Sequence, residues 1–462
     1  MNKIAIIGGG ISGLATAFTL EKARISGGPL EYQVFEASPH FGGVLRTENV
    51  EGCVVEAGPD SFLTEKRWAS DFCRVLGLGG QLVSSNDAAR KTYIYVNGRL
   101  LPLPDGLAFM VPTKIWPMIF SPLFSMNTKL KMAREWFFSR QEPKEDESVA
   151  DFIGRHYGPE MVDRLADPLL SGVYGGSASQ LSVRSVLPRF VEMEAKYGSL
   201  GKGMIAARRK MPANPSLPVF TSLKDGMQQM TDALIAKIPA SSLRVNTRIE
   251  SVQFRDRQWT VRSEAGDKNF DGVVLAVPAH AAASMLKECS QQLAIALGEI
   301  PYSSSITVAM GFRRNDLKAI PPGFGLLIPR SENKRVMAVT FVHQKFPFRT
   351  PENLGLIRCF LGCSQDEQIF QLDESGIQKI VRDELRQILG LHAEPQFTRV
   401  FKWPKTMAQY TVGHKRRIER IQQLTSQLPK FALAGNAYSG IGVPDCIRSG
   451  QNAAKQILDT LQ

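Results

Sequence analysis

The chain begins "MNKIAIIGGGISGLATAFTLEKA", and this stretch constrains the fold more than any other. Lys3 to Ile7 read as a buried parallel strand, Ile11 to Ala23 as a helix, and "EYQVFEAS" as a second strand ending at Glu36. Glycines fall at Gly8, Gly10 and Gly13, between strand and helix. Gly8 permits a tight turn, Gly10 lets backbone approach a pyrophosphate, and Gly13 lets the helix pack on the strand. The helix N-terminus then offers free N–H groups to phosphate. Glu36 stands where a ribose hydroxyl needs an acidic partner. Strand, spacing, helix and acid together predict a dinucleotide site; a ligand-free glycine turn does not account for all four.

The next segment, "ASPHFGGVLRTENVEGCVVEAGPDSF", separates the candidate dinucleotides. Gly42-Gly43 followed by Arg46 resembles the extended fingerprint of FAD-dependent oxidases. A second glycine turn brings the chain past the diphosphate again, and Arg46 can reach phosphate or flavin. Gly58-Pro59 follows a strand and brings backbone toward the ring system. No second Gly-x-Gly-x-x-Gly joins a strand to a helix; "GSLGKG" from Gly198 has the wrong order. A nicotinamide site is therefore not expected.

Length and composition bound the rest. A chain of 462 residues exceeds one ordinary domain, so two or three are expected. The net charge of +12 favours anionic partners or solubility. Its basic knots, "KLKMAR", "ARRK" and "HKRRIER", lack interleaved aromatics, which argues against nucleic acid. Cys53, Cys73, Cys289, Cys359, Cys363 and Cys446 show no zinc or CxxC spacing, so a reducing, cytoplasmic compartment and no metal are expected. "GLAFMVPTKIWPMIFSPLFSM", Gly106 to Met126, is apolar, but Pro112, Pro117, Pro122 and Lys114 exclude a long spanning helix. Pocket lining, shallow contact with a membrane face and an ordinary buried core remain open for it.

Further elements follow from pattern. Helices are predicted over Ser148–Leu170, Met227–Lys237 and Ser375–Gly390. Strands are predicted at Leu243–Thr247, Trp259–Arg262 and Gly272–Ala276, with a strand-rich region over Ile306–Phe360. Near the end, "KFALAG" reads as a strand, then a glycine loop leads to a helix starting near Pro444. Ile447, Ala454, Ile457, Leu458 and Leu461 share one face of that helix. Asp445, in its first turn, reads as a dipole partner or cap.

Taken together, "IIGGGISGLATAF", "EASPHFGGVLRT", "EAGPDSFL", "DPLLSGVYGG", "VPTKI", "MAQYTVGH" and "GVPDCIRSG" resemble the bacterial FAD-dependent porphyrinogen oxidases of haem biosynthesis over nearly the full length. The resemblance implies an α/β, multi-domain architecture. Its parts are a Rossmann-type FAD-binding domain of the p-hydroxybenzoate-hydroxylase and amine-oxidase type, a mixed-sheet substrate domain and a helical subdomain, often membrane-associated. In this chain these map to 1–90, 219–290 and 415–462 (FAD), 91–218 (helical) and 291–414 (substrate). It also implies a six-electron oxidation of coproporphyrinogen III, or of protoporphyrinogen IX, by hydride transfer to FAD over three cycles. O2 reoxidises the flavin and yields hydrogen peroxide. No acid–base dyad is required. Carried over by position, FAD contacts are Gly8, Gly9, Gly10, Ile11, Ser12, Gly13, Leu14, Glu36, Ala37, Gly43, Arg46, Gly58, Pro59, Asp60 and Ser61. Ile249, Trp403, Gly435, Gly442, Val443 and Pro444 complete them. Gly172 and Gly175 lie in a segment beside the porphyrinogen, and Phe324, Leu327 and Phe360 match its apolar walls.

This chain departs from the family pattern at two points. Relatives from mitochondria and plastids hold a propionate with an arginine where this chain has Thr92. Lys66, after "GPDSFL", is the expected cation, with Arg90 in reserve and a solvated surface lysine as the plain alternative. Ala408 replaces a proline of the family's "PQY". Another flavin oxidase, acting on amines or polyenes, and a non-enzymatic binding module are the competing readings. Monomer and homodimer are both open, as is peripheral contact with the inner face of the cell membrane.

Overall fold

Ile4, Ala5, Ile6 and Ile7 are all buried, so their strand, Asn2–Ile7, needs a neighbour on each edge and cover on both faces. The computed structural model, which describes residues 1–140, 142, 145–210, 218–362 and 366–461, supplies both. Asn2–Ile7 lies at the centre of a five-stranded sheet ordered Leu243–Arg244, Leu30–Phe35, Asn2–Ile7, Gly272–Leu275, Phe431–Leu433. Every pairing in it is parallel. The glycine helix Ile11–Ile25 and the C-terminal helix Val443–Asp459 pack against each other in its cover. Thr16 Oγ1 donates to the Gly450 carbonyl at 3.0 Å, and a Cβ on Gly450 would collide with the Ser12 carbonyl. The predicted face of the C-terminal helix is the buried one: Ile447, Ala454 and Ile457 are fully enclosed.

A seven-stranded mixed sheet forms the second body of structure. Its order is Phe397–Ala408, Tyr302–Arg313, Leu354–Gly362, Val336–Phe341, Gly325–Leu327, Thr92–Val96, Arg99–Pro102. Side chains alternate between its faces. Val308, Val339, Cys359 and Leu326 turn one way and pack on Ile377, Val381 and Leu385 of the helix Glu374–Leu389. Ile94, Leu327, Ala338, Phe360, Thr307 and Phe401 form one in-register row on the other face.

Several expectations need correction. The helix predicted over Ser148–Leu170 is broken into Val149–Tyr157, Pro159–Met161, a π turn at Val162–Ala166, and Asp167–Tyr174. Gly158 takes φ +93° and Pro159 has no N–H to continue the ladder. The strand predicted to Thr247 stops at Arg244. Beyond it, the N–H groups of Asn246 and Thr247 turn to the carbonyls of Ser38 and Glu36 (3.0 and 2.8 Å). Within the span 91–218, Thr92–Val96 and Arg99–Pro102 join the seven-stranded sheet. Helices dominate the rest of that span, among them Met126–Glu135, Pro188–Tyr197 and Leu200–Lys210.

The apolar segment from Gly106 divides its residues. Met110, Val111, Leu123 and Phe124 are buried, whereas Trp116, Phe120 and Met126, and beyond the segment Leu130 and Phe137, are at least 65% exposed. Among the described residues no helix is long and apolar enough to cross a membrane. Cys53, Cys73, Cys289, Cys359 and Cys446 are free thiols; Cys363 lies outside the described residues.

Candidate functional site

Parallel sheets bind ligands beyond the carboxyl ends of their strands, and three predicted site residues and one further turn converge there. Gly8, Glu36, the turn after Gly272–Leu275 and Gly435 each follow one of four adjacent strands. Gly8 has φ +109°, and its N–H donates to the Phe35 carbonyl at 2.8 Å. A Cβ on Gly8 would strike the Ala276 carbonyl, and one on Gly13 would strike that of Gly8. Gly10 caps the glycine helix without any side-chain cap, and a Cβ there would meet no heavy atom within 4 Å. Gly10 also bridges to Gly42, whose N–H donates to the Gly9 carbonyl at 2.9 Å. The second glycine turn therefore lies on the first, with Gly43 at φ +59° beside Gly10.

Glu36 accepts the N–H of Gly9 on one oxygen and that of Ser38 on the other, both at 2.8 Å. Those bonds fix its carboxylate at the end of the second strand. Ala37 is exposed beside it, while Ile11, Ser12 and Leu14 are buried within the helix. Ile249 is buried, and the Asn246 and Thr247 bonds bring its segment alongside Glu36.

A second helix N-terminus opens nearby. Gly442 caps the C-terminal helix, again without a side-chain cap, and Val443 and Pro444 begin it. Gly435, at φ +134°, donates to Ser449 Oγ at 3.1 Å, and a Cβ there would lie no closer than 3.9 Å to anything. Two helix starts without side-chain caps, with open backbone at Gly10 and Gly435, suit a diphosphate and an anionic ring edge. The residues present thus fit a flavin dinucleotide.

Asp445 is buried in the first turn of that helix and is ion-paired to Lys66. The expected substrate cation therefore already has a partner. Lys66 Nζ and the Arg448 guanidinium both lie near the Trp68 ring, at 5.9 and 4.6 Å from its centroid. Arg90 is exposed. Arg46, expected near phosphate or flavin, is exposed and paired with Glu48 at 2.8 Å.

The segment Gly58–Ser61 leads to groups that sequence reasoning missed. A Cβ on Gly58 would strike the Val44 carbonyl, and the Gly58 carbonyl accepts from Arg358 at 2.6 Å. Both Asp60 oxygens accept from Lys345 Nζ at 3.1 Å, and Ser61 Oγ donates to Asp60 at 2.6 Å. Arg349 donates to Glu56 at 2.9 Å and to Ser222 Oγ at 2.6 Å. Glu56, Asp60, Lys345, Arg349 and Arg358 thus form a buried ionic seam. Burial alone would raise the Asp60 pKa; Lys345, Arg358 and Arg349 outweigh it and hold the carboxyl well below its usual range. Burial pushes Lys345 down and Glu56 up. The available signal was a charge inside an apolar run: Glu56 in "CVVEAG", Arg358 in "GLIRCFL" and Lys345 in "VHQKFPF". Trp403 Nε1 donates to the Ala57 carbonyl at 2.9 Å, so this tryptophan borders the same segment.

Leu327 and Phe360 lie in one row of the seven-stranded sheet, on the face that carries Arg358, and Phe324 is buried just before that row. Gly172 is exposed in the helix Asp167–Tyr174, with open space at its Cα. Gly175 ends that helix at φ +65°.

A parallel sheet with two glycine-opened helix starts, tied to a mixed sheet through Arg358–Gly58 and Trp403–Ala57, is the arrangement of a flavin-dependent oxidoreductase, and the family match agrees. The chain belongs to the family of flavin containing amine oxidoreductases, whose model matches residues 11–458. It is 34% identical to the coproporphyrinogen III oxidase of Bacillus subtilis (strain 168), over 99% of this chain and 98% of that one. It is 28% identical to the mitochondrial protoporphyrinogen oxidase of Nicotiana tabacum, over 100% and 95%. A crystal structure of an Exiguobacterium sp. 255-15 protein, described as a protoporphyrinogen oxidase, matches with a TM-score of 0.89 at 28% identity, over 99% of this chain and 98% of that one.

Proposed function

We propose that the flavin is FAD and that this chain oxidises a porphyrinogen, coproporphyrinogen III in preference, with O2 as final acceptor. The end-to-end likeness to the Bacillus subtilis enzyme carries this reading; the likeness to the tobacco enzyme supports protoporphyrinogen IX as the second. Bound FAD supplies the two-electron acceptor, used three times per porphyrinogen. The chain's own residues bind and orient. Gly8 to Leu14, Gly43 and the two helix starts hold the diphosphate and the ring edge, and Glu36 holds the ribose. Leu327, Phe360 and Phe324 wall the macrocycle and exclude water. Lys66, whose side chain stays 32% exposed while paired with Asp445, meets a substrate carboxylate, with Arg90 as the outer cation. The FAD region takes in 1–90, 219–290 and 415–462, the helical region 91–218 and the substrate region 291–414. The ridge of Trp116, Phe120, Met126, Leu130 and Phe137, with Lys129 and Lys131 beside it, rests shallowly on the inner face of the cell membrane.

FAD-loaded protein given each porphyrinogen should raise porphyrin fluorescence, consume O2, and show a higher kcat/KM for coproporphyrinogen III. No acceleration over spontaneous oxidation with either would overturn the reading. Anaerobic bleaching by an amine, with none by porphyrinogens, would replace it with amine oxidation.

A further inference from the structure

Gln409 and Tyr410 have no part in the scheme above, yet both are buried, with only 4% exposure each. They directly follow the strand Phe397–Ala408. The Tyr410 hydroxyl donates to the Asn436 carbonyl at 2.8 Å and accepts the Gly440 N–H at 2.8 Å. One phenol thus closes the loop that runs from Gly435 to the start of the C-terminal helix. Its ring stacks on His414, with centroids 4.0 Å apart and planes 14° from parallel. Burial raises the Tyr410 pKa and lowers that of His414 to about 4, so the pair is neutral.

Gln409 faces the other loop. Its amide donates to the Tyr174 carbonyl and, at 2.9 Å, to Ser303 Oγ. A Cβ on Gly176 would collide with its Oε1. Both main chains are pinned as well: Gln409 N–H donates to Pro301, and the Tyr410 carbonyl accepts from Ser182, each at 2.8 Å. A single peptide unit therefore ties the end of the helix Asp167–Tyr174 to the glycine loop before the C-terminal helix.

We infer that Gln409 and Tyr410 are a pair of positioning residues, a clasp that fixes the distance between the substrate-side segment Gly172–Gly176 and the flavin-side loop Gly435–Pro444. This rests on the functional reading given above. Neither side chain touches reacting atoms; the pair acts through the two loops. Hydride transfer is steep in distance, so a small shift between those loops is costly.

The test uses the full FAD-loaded chain. Tyr410→Phe keeps the ring stack and removes both hydroxyl bonds. It should lower kcat about tenfold with KM within about twofold, and alter the visible flavin spectrum before any substrate is added. Gln409→Leu should raise KM about tenfold and leave the spectrum of the free enzyme unchanged. Lowered melting temperatures with kcat, KM and spectrum all unchanged would overturn the clasp and leave a structural strut. Equal losses of kcat/KM in both variants, with no spectral change in Tyr410→Phe, would also overturn it. If Tyr410→Phe does not fold, the KM shift and constant spectrum of Gln409→Leu still decide the substrate half. If wild-type protein oxidises neither porphyrinogen, the functional reading fails, while the substrate-free spectrum of Tyr410→Phe still decides the flavin half.

Discussion

The glycine crevice and the ionic seam meet near Gly58 but are built on opposite principles. The crevice is backbone: Gly8, Gly10, Gly42, Gly43, Gly435 and Gly442 contribute no side chains, and its helix starts have no side-chain caps. The seam is side chain: Glu56 pairs with Arg349, and Asp60 with Lys345 and Arg358, in a mostly enclosed cluster that leaves Arg349 Nε and Nη1 and Arg358 Nε without a hydrogen-bond partner among the described residues. Donors left open at a crevice create affinity for a ligand. Charges closed on each other create rigidity and register between segments far apart in sequence, here 293 positions for Glu56 and Arg349. The seam therefore fixes the segment Glu56–Asp60 against the strand that carries Arg358 and Phe360, and seam and crevice should fail differently when cut.

The largest effect is expected in the seam. Arg349→Met leaves Glu56 buried without its cation, a change that typically costs about 3–5 kcal/mol. The thermal midpoint should fall steeply, while the protein still folded below it keeps its flavin. Loss of flavin at an unchanged midpoint would erase the distinction drawn between seam and crevice. A smaller effect separates two glycines inside the crevice. Gly13→Ala drives a methyl into the Gly8 carbonyl, which should cost about 1–3 kcal/mol in stability and release the flavin. Gly10→Ala meets no protein atom within 4 Å, so its stability should stay within about 0.5 kcal/mol of wild type while flavin affinity drops. Titration of the apoprotein with FAD, beside its melting curve, reads both quantities. Equal flavin affinity in Gly10→Ala and wild type would mean that the open space there is not the ligand's.

This contrast also explains what could be read from the chain. Backbone devices are written locally: Gly8, Gly10, Gly13 and Glu36 declare strand, turn, helix and acid within 29 residues, and the structure assembles them on one sheet edge. The parallel core strands and the buried face of the C-terminal helix were legible by the same short periods. Seam partners are written at long range. Nothing near Asp60 announces Lys345, because their pairing depends on how two sheets dock. The same limit applies to Lys66, whose partner Asp445 lies 379 positions away. Its role as a substrate cation was read from position alone. The single helix expected over Ser148–Leu170 failed for a local reason that was visible, the Gly158-Pro159 pair, because helical periodicity outweighed the breaker.

A second buried charge cluster, distant in sequence from the crevice, shows whether the seam's behaviour is general to enclosed ions. His156, buried between Glu135 and Glu194, bonds to them at 3.2 and 3.0 Å. Arg155 pairs with Glu194 and Glu147, and Ser199 donates to Glu135. Burial alone would lower the His156 pKa, but the two carboxylates raise it above its ordinary value of 6.5. A raised folded-state pKa gives stability that is complete below 6.5 and lost as pH rises through the folded value. Glu194, held down to about 2 by Arg155 and His156 against the opposing pull of burial, gives stability that is lost as pH falls from 4.5 toward 2. Unfolding midpoints from pH 6 upward should therefore decline more steeply in wild type than in His156→Gln. One proton limits the difference to about 1.4 kcal/mol per pH unit. Seam variants keep His156 and both of its carboxylates, so the His156 contribution to the slope should persist in them. Parallel slopes for wild type and His156→Gln would mean that the imidazole is neutral between its carboxylates, and that this cluster is held by hydrogen bonds rather than by charge.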